Sequence, residues 1–146
     1  MTTVQTEWLL DAFVPGKPAP QGSMRAIVHR STGRAVAIKD NNVAQKSWRE
    51  DIRVLVSNWW KYPPLDAGVA LDIEFVMPRP VSLPKTKATP PAIKRPDQDK
   101  LTRAVCDALT SAGVYLDDSQ VIDCHVRKRI AELGEVPGAR IRIGVA

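Results

Sequence analysis

A mixed α/β fold is what this sequence predicts, a sheet of about five to six strands with two main helices packed on one face. Two observations carry that expectation. Apolar and polar residues alternate near both ends of the chain and across 68–77, which marks half-buried strands, while two other stretches repeat their apolar residues at helical spacing. The resulting order, β-β-β-α-β-α-β-β, lacks the repeated strand–helix alternation of a doubly wound sheet. The 146 residues suit a single domain over 1–146, and 44% hydrophobic with 25% charged residues is ordinary for a chain that buries its own core.

Residues 7–14 (EWLLDAFV) read as the first strand. Pro15 to Gln21 follow as a stiff loop, whose three prolines cannot donate to a ladder. Arg25–Arg30 and Arg34–Lys39 flank Ser-Thr-Gly, so a hairpin with a basic surface is expected, and His29 on it reads as a surface histidine. Asp40, Asn41 or Asn42 can cap a helix reaching about Trp60. Ala44, Trp48, Ile52, Leu55, Val56 and Trp59 recur along it, and its tryptophans read as core anchors rather than base-stacking platforms.

The clearest strand is 68–77, with Val69, Leu71, Ile73, Phe75 and Met77 on one face and Asp72 and Glu74 on the other. A proline- and lysine-rich loop then runs from Pro78 to Pro96, a length uncommon in compact domains and often functional. Leu101, Ala104, Val105, Ala108 and Leu109 form the stripe of a second helix over 98–112, and Gly113 can supply its left-handed cap. Two strands close the chain. Ile122, Cys124, Val126 and Ile130 are expected inward and Asp123, His125, Arg127 and Arg129 outward. After a turn at 135–138, Ile141, Ile143 and Val145 alternate with Arg140 and Arg142.

A net charge of +5 favours an anionic partner. Between Arg79 and Arg95 lie Lys85, Lys87 and Lys94 with no acid, which suits a loop that tracks phosphates. No apolar run approaches the ~20 residues that span a bilayer, and the N-terminus lacks a signal-peptide pattern, so the expectation is a cytoplasmic protein with no membrane partner. Cys106 and Cys124 match no familiar zinc spacing and read as reduced, buried thiols.

The chemistry points to carboxylates. Asp97 and Asp99 stand where the long loop enters the second helix, and at a capping turn two such residues can converge. Asp117 and Asp118 follow beyond the far end of that helix, which spans roughly 21 Å at ~1.5 Å per residue, so Asp118 meets the first pair only if the chain doubles back. Phosphodiester cleavage calls for a hard cation that neutralises phosphate and lowers the pKa of a water, and magnesium takes oxygen ligands. From the residues alone, a helix cap at Asp97 or Asp99 and a solvated turn at Asp117-Asp118 stay open.

Residues 95–121, RPDQDKLTRAVCDALTSAGVYLDDSQV, resemble the D-x-D-N-L-x-K…D-A-L…G…D-D-x-Q-V core of the RusA-type Holliday junction resolvases, and Pro18–Arg25 resembles that family's opening more loosely. The resemblance implies a RusA-like fold and a homodimer, bacterial or phage-encoded, that cuts four-way DNA junctions with Mg²⁺ by paired nicks in DNA recombination and repair. It implies metal ligands at Asp97, Asp99 and Asp118. The family's essential lysine falls on Arg103, which keeps the charge but cannot donate a proton. Lys100 replaces the usual asparagine and could share that role. Arg25, Arg30, Lys85, Lys87, Lys94, Arg95, Arg127 and Arg129 are the expected DNA contacts. The alternatives are a nuclease for flaps or other branches and a catalytically silent junction-binding protein.

Overall fold

The computed structural model describes residues 6–20, 24–28, 35–39 and 43–146, with side chains over 6–20 and 47–146. In chain order the elements are β1 (Trp8–Pro15), β2 (Met24–Val28), β3 (Ala35–Lys39), α1 (Val43–Trp59), β4 (Val69–Met77), α2 (Gln98–Ser111), a 3₁₀ turn (Asp118–Gln120), β5 (Val121–Ile130) and β6 (Gly138–Val145). The element order is the expected one. Among the described residues no helix is long and apolar enough to cross a membrane.

The sheet itself is smaller than expected. Among the described residues four strands pair in the order β1-β6-β4-β5, and β2 and β3 pair only with each other, from Met24 opposite Lys39 to Val28 opposite Ala35. The proline loop accounts for the separation. It ends β1 at Pro15, turns through Gly16 at φ 141° and sends Ala19 into the core, so the chain leaves the sheet edge before the hairpin begins. His29, Arg30 and the capping candidates Asp40, Asn41 and Asn42 lie outside the described residues.

The most apolar strand takes the centre. Val69, Ala70, Leu71, Ile73, Phe75 and Val76 of β4 are all buried, with β6 antiparallel on one side and β5 parallel on the other. The last two strands are therefore not neighbours, although only a short turn region links them. β5 becomes an edge, and its expected inward face is only partly covered. Val126 and Ile130 are half-buried, but Cys124 is exposed and Ile122 is 70% exposed. Val145, at the end of β6, is likewise exposed.

Both helices lie over one face. Trp48, Ile52, Val56 and Trp60 bury the stripe that continues from α1 into the residue after it, whereas Trp59, expected in the core, is 39% exposed. Helical spacing alone favours Trp59, roughly 20° from Trp48 at about 100° per residue. But α1 ends there, and it is the next residue, its N–H still donating to Val56 O at 2.7 Å, that turns into the core. On α2 all five predicted residues are buried. Gly113 adopts φ 79° just beyond α2, and Val114 N–H donates to Leu109 O at 3.1 Å, the left-handed ending the sequence predicts.

Ile73→Ala should cost about 2–5 kcal/mol in urea unfolding, and Ile122→Ala less than about 1 kcal/mol. Similar losses at both positions would contradict the edge placement of β5.

Candidate active site

Two carboxylates stand exposed at the start of α2. Asp97 is the N-cap residue, extended at φ −70° and ψ 143°, yet its side chain makes no capping hydrogen bond. Asp99 sits in the first turn, where the helix dipole favours a negative group. The buried stripe dictates their outward placement. With Leu101, Ala104 and Val105 turned toward the sheet, a rotation of about 100° per residue puts Asp99 and Arg103 side by side on the far side of the helix. Lys100 and Arg103 are exposed, and among the described residues Arg103 forms no ion pair with Asp99 or Asp107.

Two side chains that sequence reasoning passed over hold this entry in place. Gln98 Nε2 donates to Val126 O at 3.0 Å. Lys128 Nζ donates to Lys94 O and Pro96 O, each at 2.9 Å. The segment carrying Asp97 is thus pinned to β5 from both partners. No local pattern marks either residue, because both bonds reach backbone far away in sequence.

Asp118 lies at the other end of α2. Beyond the helix, Tyr115 is buried and its hydroxyl donates to Cys106 O at 2.8 Å. The Asp117 carboxylate accepts from Ser119 N at 2.8 Å, and that backbone donor holds the Asp117 carboxyl below the usual carboxylate range. Gln120 closes the reciprocal half of a capping box. Its Oε1 accepts from Leu116 N at 2.8 Å and Asp117 N at 2.9 Å, while its Nε2 donates to Leu65 O at 2.7 Å and Ala67 O at 3.1 Å. The D-x-x-Q spacing is a legible capping signal that marks Gln120 in the sequence. Asp117 is occupied by its own turn, whereas Asp118 opens that turn with its side chain exposed.

The single chain does not gather all three aspartates. Among the described residues no three His, Cys, Asp or Glu side chains are close enough to hold a metal ion. The chain does double back along α2, but it brings Val126 and Lys128, not Asp118, to the segment that carries Asp97. A strand advances about 3.3 Å per residue, roughly twice the rise of a helix, so β5 needs only a few residues to return along α2. Asp97 and Asp99 by themselves suit magnesium, which accepts one or two carboxylates and keeps several waters.

The expected DNA contacts separate into two groups. Lys85, Lys87, Lys94 and Arg95 are exposed on the 78–96 loop. Arg127 and Arg129 face the opposite side of the sheet from α2, since strand residues alternate and Lys128 reaches toward the helix entry. There Arg127 pairs with Glu74 at 3.4 Å, and Arg129 meets Glu74 at 3.3 Å and binds both Glu135 oxygens at 2.6 Å. Arg140–Asp11 and Arg142–Asp72 pairs continue this charge-balanced face, with Arg142 also 4.6 Å above the Trp8 ring. Arg25 lies in β2, where only the backbone is described, and Arg30 lies outside the described residues.

The cysteines are both free, but only Cys106 is sheltered, and Cys124 is exposed on the β5 edge. Burial pushes the Cys106 thiol up to about 11 and raises Cys124 as well. At neutral pH these are thiols rather than the thiolates that bind soft metals.

The family model described as Endodeoxyribonuclease RusA matches residues 15–144. Proteins named crossover junction endodeoxyribonuclease RusA from Escherichia coli (strain K12) and Shigella sonnei (strain Ss046) are each 35% identical over 83 residues, 57% of this chain and 58% of theirs. The one from Enterobacteria phage 82 is 43% identical over 61 residues, 42% of this chain and 48% of its own length. The chain therefore spans about half the length of the curated relatives it matches.

The Glu135 clasp on Arg129 makes a pH prediction. The Arg129 guanidinium, with the Glu132 N–H, lowers the Glu135 carboxyl from the ordinary 4.5 to about 2. A depressed carboxyl contributes stability that is present above its unfolded pKa and is lost as pH falls through the folded one. Wild type should therefore melt above Glu135→Gln at pH 7, and the gap should close between pH 4.5 and about 2. A gap unchanged down to the lower limit would contradict the assignment.

Proposed function

We propose, because this chain belongs to the RusA family of endodeoxyribonucleases, that it is a magnesium-dependent endonuclease resolving four-way DNA junctions in recombination and repair. It works as a homodimer whose two sites nick opposite strands of a near-two-fold junction. The observation that carries this reading is the pair Asp97 and Asp99. Their carboxylates are exposed at one helix start, Asp97 makes no cap bond, and Lys100 and Arg103, which form no ion pair among the described residues, lie in the same turns.

Asp97 and Asp99 would hold the metal. Magnesium, when bound, supplies neutralising charge at the phosphate and a water of lowered pKa. The chain supplies the rest. The first-turn N–H groups and the positive end of the α2 dipole favour a phosphate at the same place. Lys94 and Arg95, held just before the helix, and Lys100 within it add positive charge there. Arg103 can grip phosphate oxygens with two donors and stabilise charge developing in the transition state, without moving a proton.

Cleavage of a panel of duplex, flap, Y and four-way substrates, with and without Mg²⁺, tests the reading. Paired nicks in the four-way junction, dependent on the metal, are expected from a protein that sediments as a dimer. Preference for flaps, or binding without nicking, would favour one of the alternatives. Asp97→Asn and Asp99→Asn should each lower cutting by about 10²-fold or more while junction binding in Ca²⁺ persists. Asp118→Asn decides whether the third carboxylate of the motif joins them. A comparable loss includes it in the set, and near wild-type cutting removes it.

Arg103 and Lys100 divide the basic role. If charge alone matters, Arg103→Lys should keep most activity and Arg103→Ala should lose about 10²-fold in single-turnover rate. Lys100→Ala proving the more damaging change, with a pH dependence that follows a lysine, would instead move a proton-transfer role to Lys100.

A further inference from the structure

The 78–96 loop contains no helix or strand, yet it is built around an internal anchor. Two successive turns are closed by Leu83 N–H on Pro80 O at 3.0 Å and Lys87 N–H on Pro84 O at 3.1 Å. The half-buried Arg79 ties the second turn to the start of the loop. Its Nη1 donates to Thr89 Oγ1 at 2.7 Å, and its Nη2 donates to Lys87 O at 2.9 Å and, more weakly, to Pro84 O at 3.4 Å. The Thr89 hydroxyl passes the connection on, donating to Glu132 Oε2 at 2.7 Å.

This guanidinium spends both Nη groups on the loop itself, and its Nε is buried without a partner. It is therefore not placed to meet a phosphate, although sequence alone would rank it with the loop's other cations. Lys85 and Lys87, by contrast, are exposed within or beside the turn that Arg79 clasps. A planar guanidinium fork reaches a hydroxyl and two carbonyls spread over separate nitrogens, a span that the single nitrogen of a lysine ammonium matches poorly.

We propose that Arg79 is a positioning residue for DNA binding, holding the Pro84–Thr89 stretch so that Lys85 and Lys87 meet a phosphate backbone already in place. The proposal rests on the reading of this chain as a nuclease that binds branched DNA. An unanchored loop must lose its conformational freedom on binding, and the Arg79–Thr89–Glu132 connection removes much of that cost beforehand.

The test uses the full chain, a labelled four-way junction and Ca²⁺ in place of Mg²⁺, across a range of salt. Arg79→Ala should weaken junction binding about 10-fold through lost preorganisation and speed tryptic cleavage after Lys85 and Lys87 in the free protein. The Lys85→Ala/Lys87→Ala pair should weaken binding and lower the salt slope by about 1.8, as expected for two lost phosphate contacts. Because Arg79 acts through those lysines, adding Arg79→Ala to the pair should cause little further loss. Arg79→Lys should restore only part of the affinity. Thr89→Val breaks the relay without touching Arg79, and a weakening of about 3-fold is expected from it, which keeps the test available should Arg79→Ala fold poorly. Wild-type affinity in both Arg79→Ala and Thr89→Val, or an Arg79→Ala loss that adds in full to the lysine pair, overturns the proposal. A wild type with no preference for the junction over duplex overturns the branched-DNA reading on which the proposal rests. Junction preference that survives with no effect of the lysine pair sinks only the role given to Arg79.

Discussion

Parallel pairing between β4 and β5 is the constraint on which the rest of the molecule depends. Two neighbours that run the same way cannot be joined by a tight turn, so the chain must cross from the end of one strand to the start of the other. Residues 78–120 make that crossing, first as the basic loop, then as α2, then as the Gln120-bound turn. Because α2 descends along the pair, its N-terminus stands near the carboxyl end of β5 and its C-terminus near the beginning. Asp97 and Asp99 are placed by the first fact and Asp118 by the second.

The same topology divides the charges. On the sheet face away from the helices, Arg127, Arg129, Arg140 and Arg142 are matched by Glu74, Glu135, Asp11 and Asp72. Such partly exposed pairs add little stability each, but they leave that face nearly neutral. Among the described residues, Lys85, Lys87, Lys94 and Arg95 on the 78–96 loop and Lys100 and Arg103 on the exposed side of α2 form no ion pair. Lys94, Arg95, Lys100 and Arg103 stand in sequence around Asp97 and Asp99, where they favour an anionic partner.

Polar side chains that reach distant backbone position the functional segments. Gln98 and Lys128 fasten the entry of α2 to β5, Gln120 fastens the Asp117-Asp118 turn to Leu65 and Ala67, and Arg79 fastens the long loop to itself and, through Thr89, to Glu132. Loop carbonyls need partners when packed against protein, and these donors supply them where no ladder can. Outside α2, the crossing is therefore held by side chains rather than by regular structure.

Much of this was legible in the sequence because it depends on near neighbours. The stripe from Leu101 to Leu109, the alternation of β4, the Gly113 ending and the exposure of Asp97, Asp99 and Arg103 all follow from spacing within a few residues. Sheet order does not. Periodicity states that a strand has a buried face, but not which strand will lie beside it or whether it will end at an edge. Hence Ile122 and Cys124 carry an inward pattern on a strand whose near end the helix does not cover, and the β2–β3 hairpin reads as part of a sheet it does not join. Trp59 and Trp60 differ by a single step of the helix, which local spacing resolves only once the packing partner is known. The sequence by itself determined the elements, the acidic motifs and the positive charge. Only the tertiary structure decided that Arg129 is held by Glu135 while Lys85 stays exposed, and that Asp118 stands apart from Asp97 and Asp99, because those outcomes depend on which distant segments the β4–β5 crossing brings together.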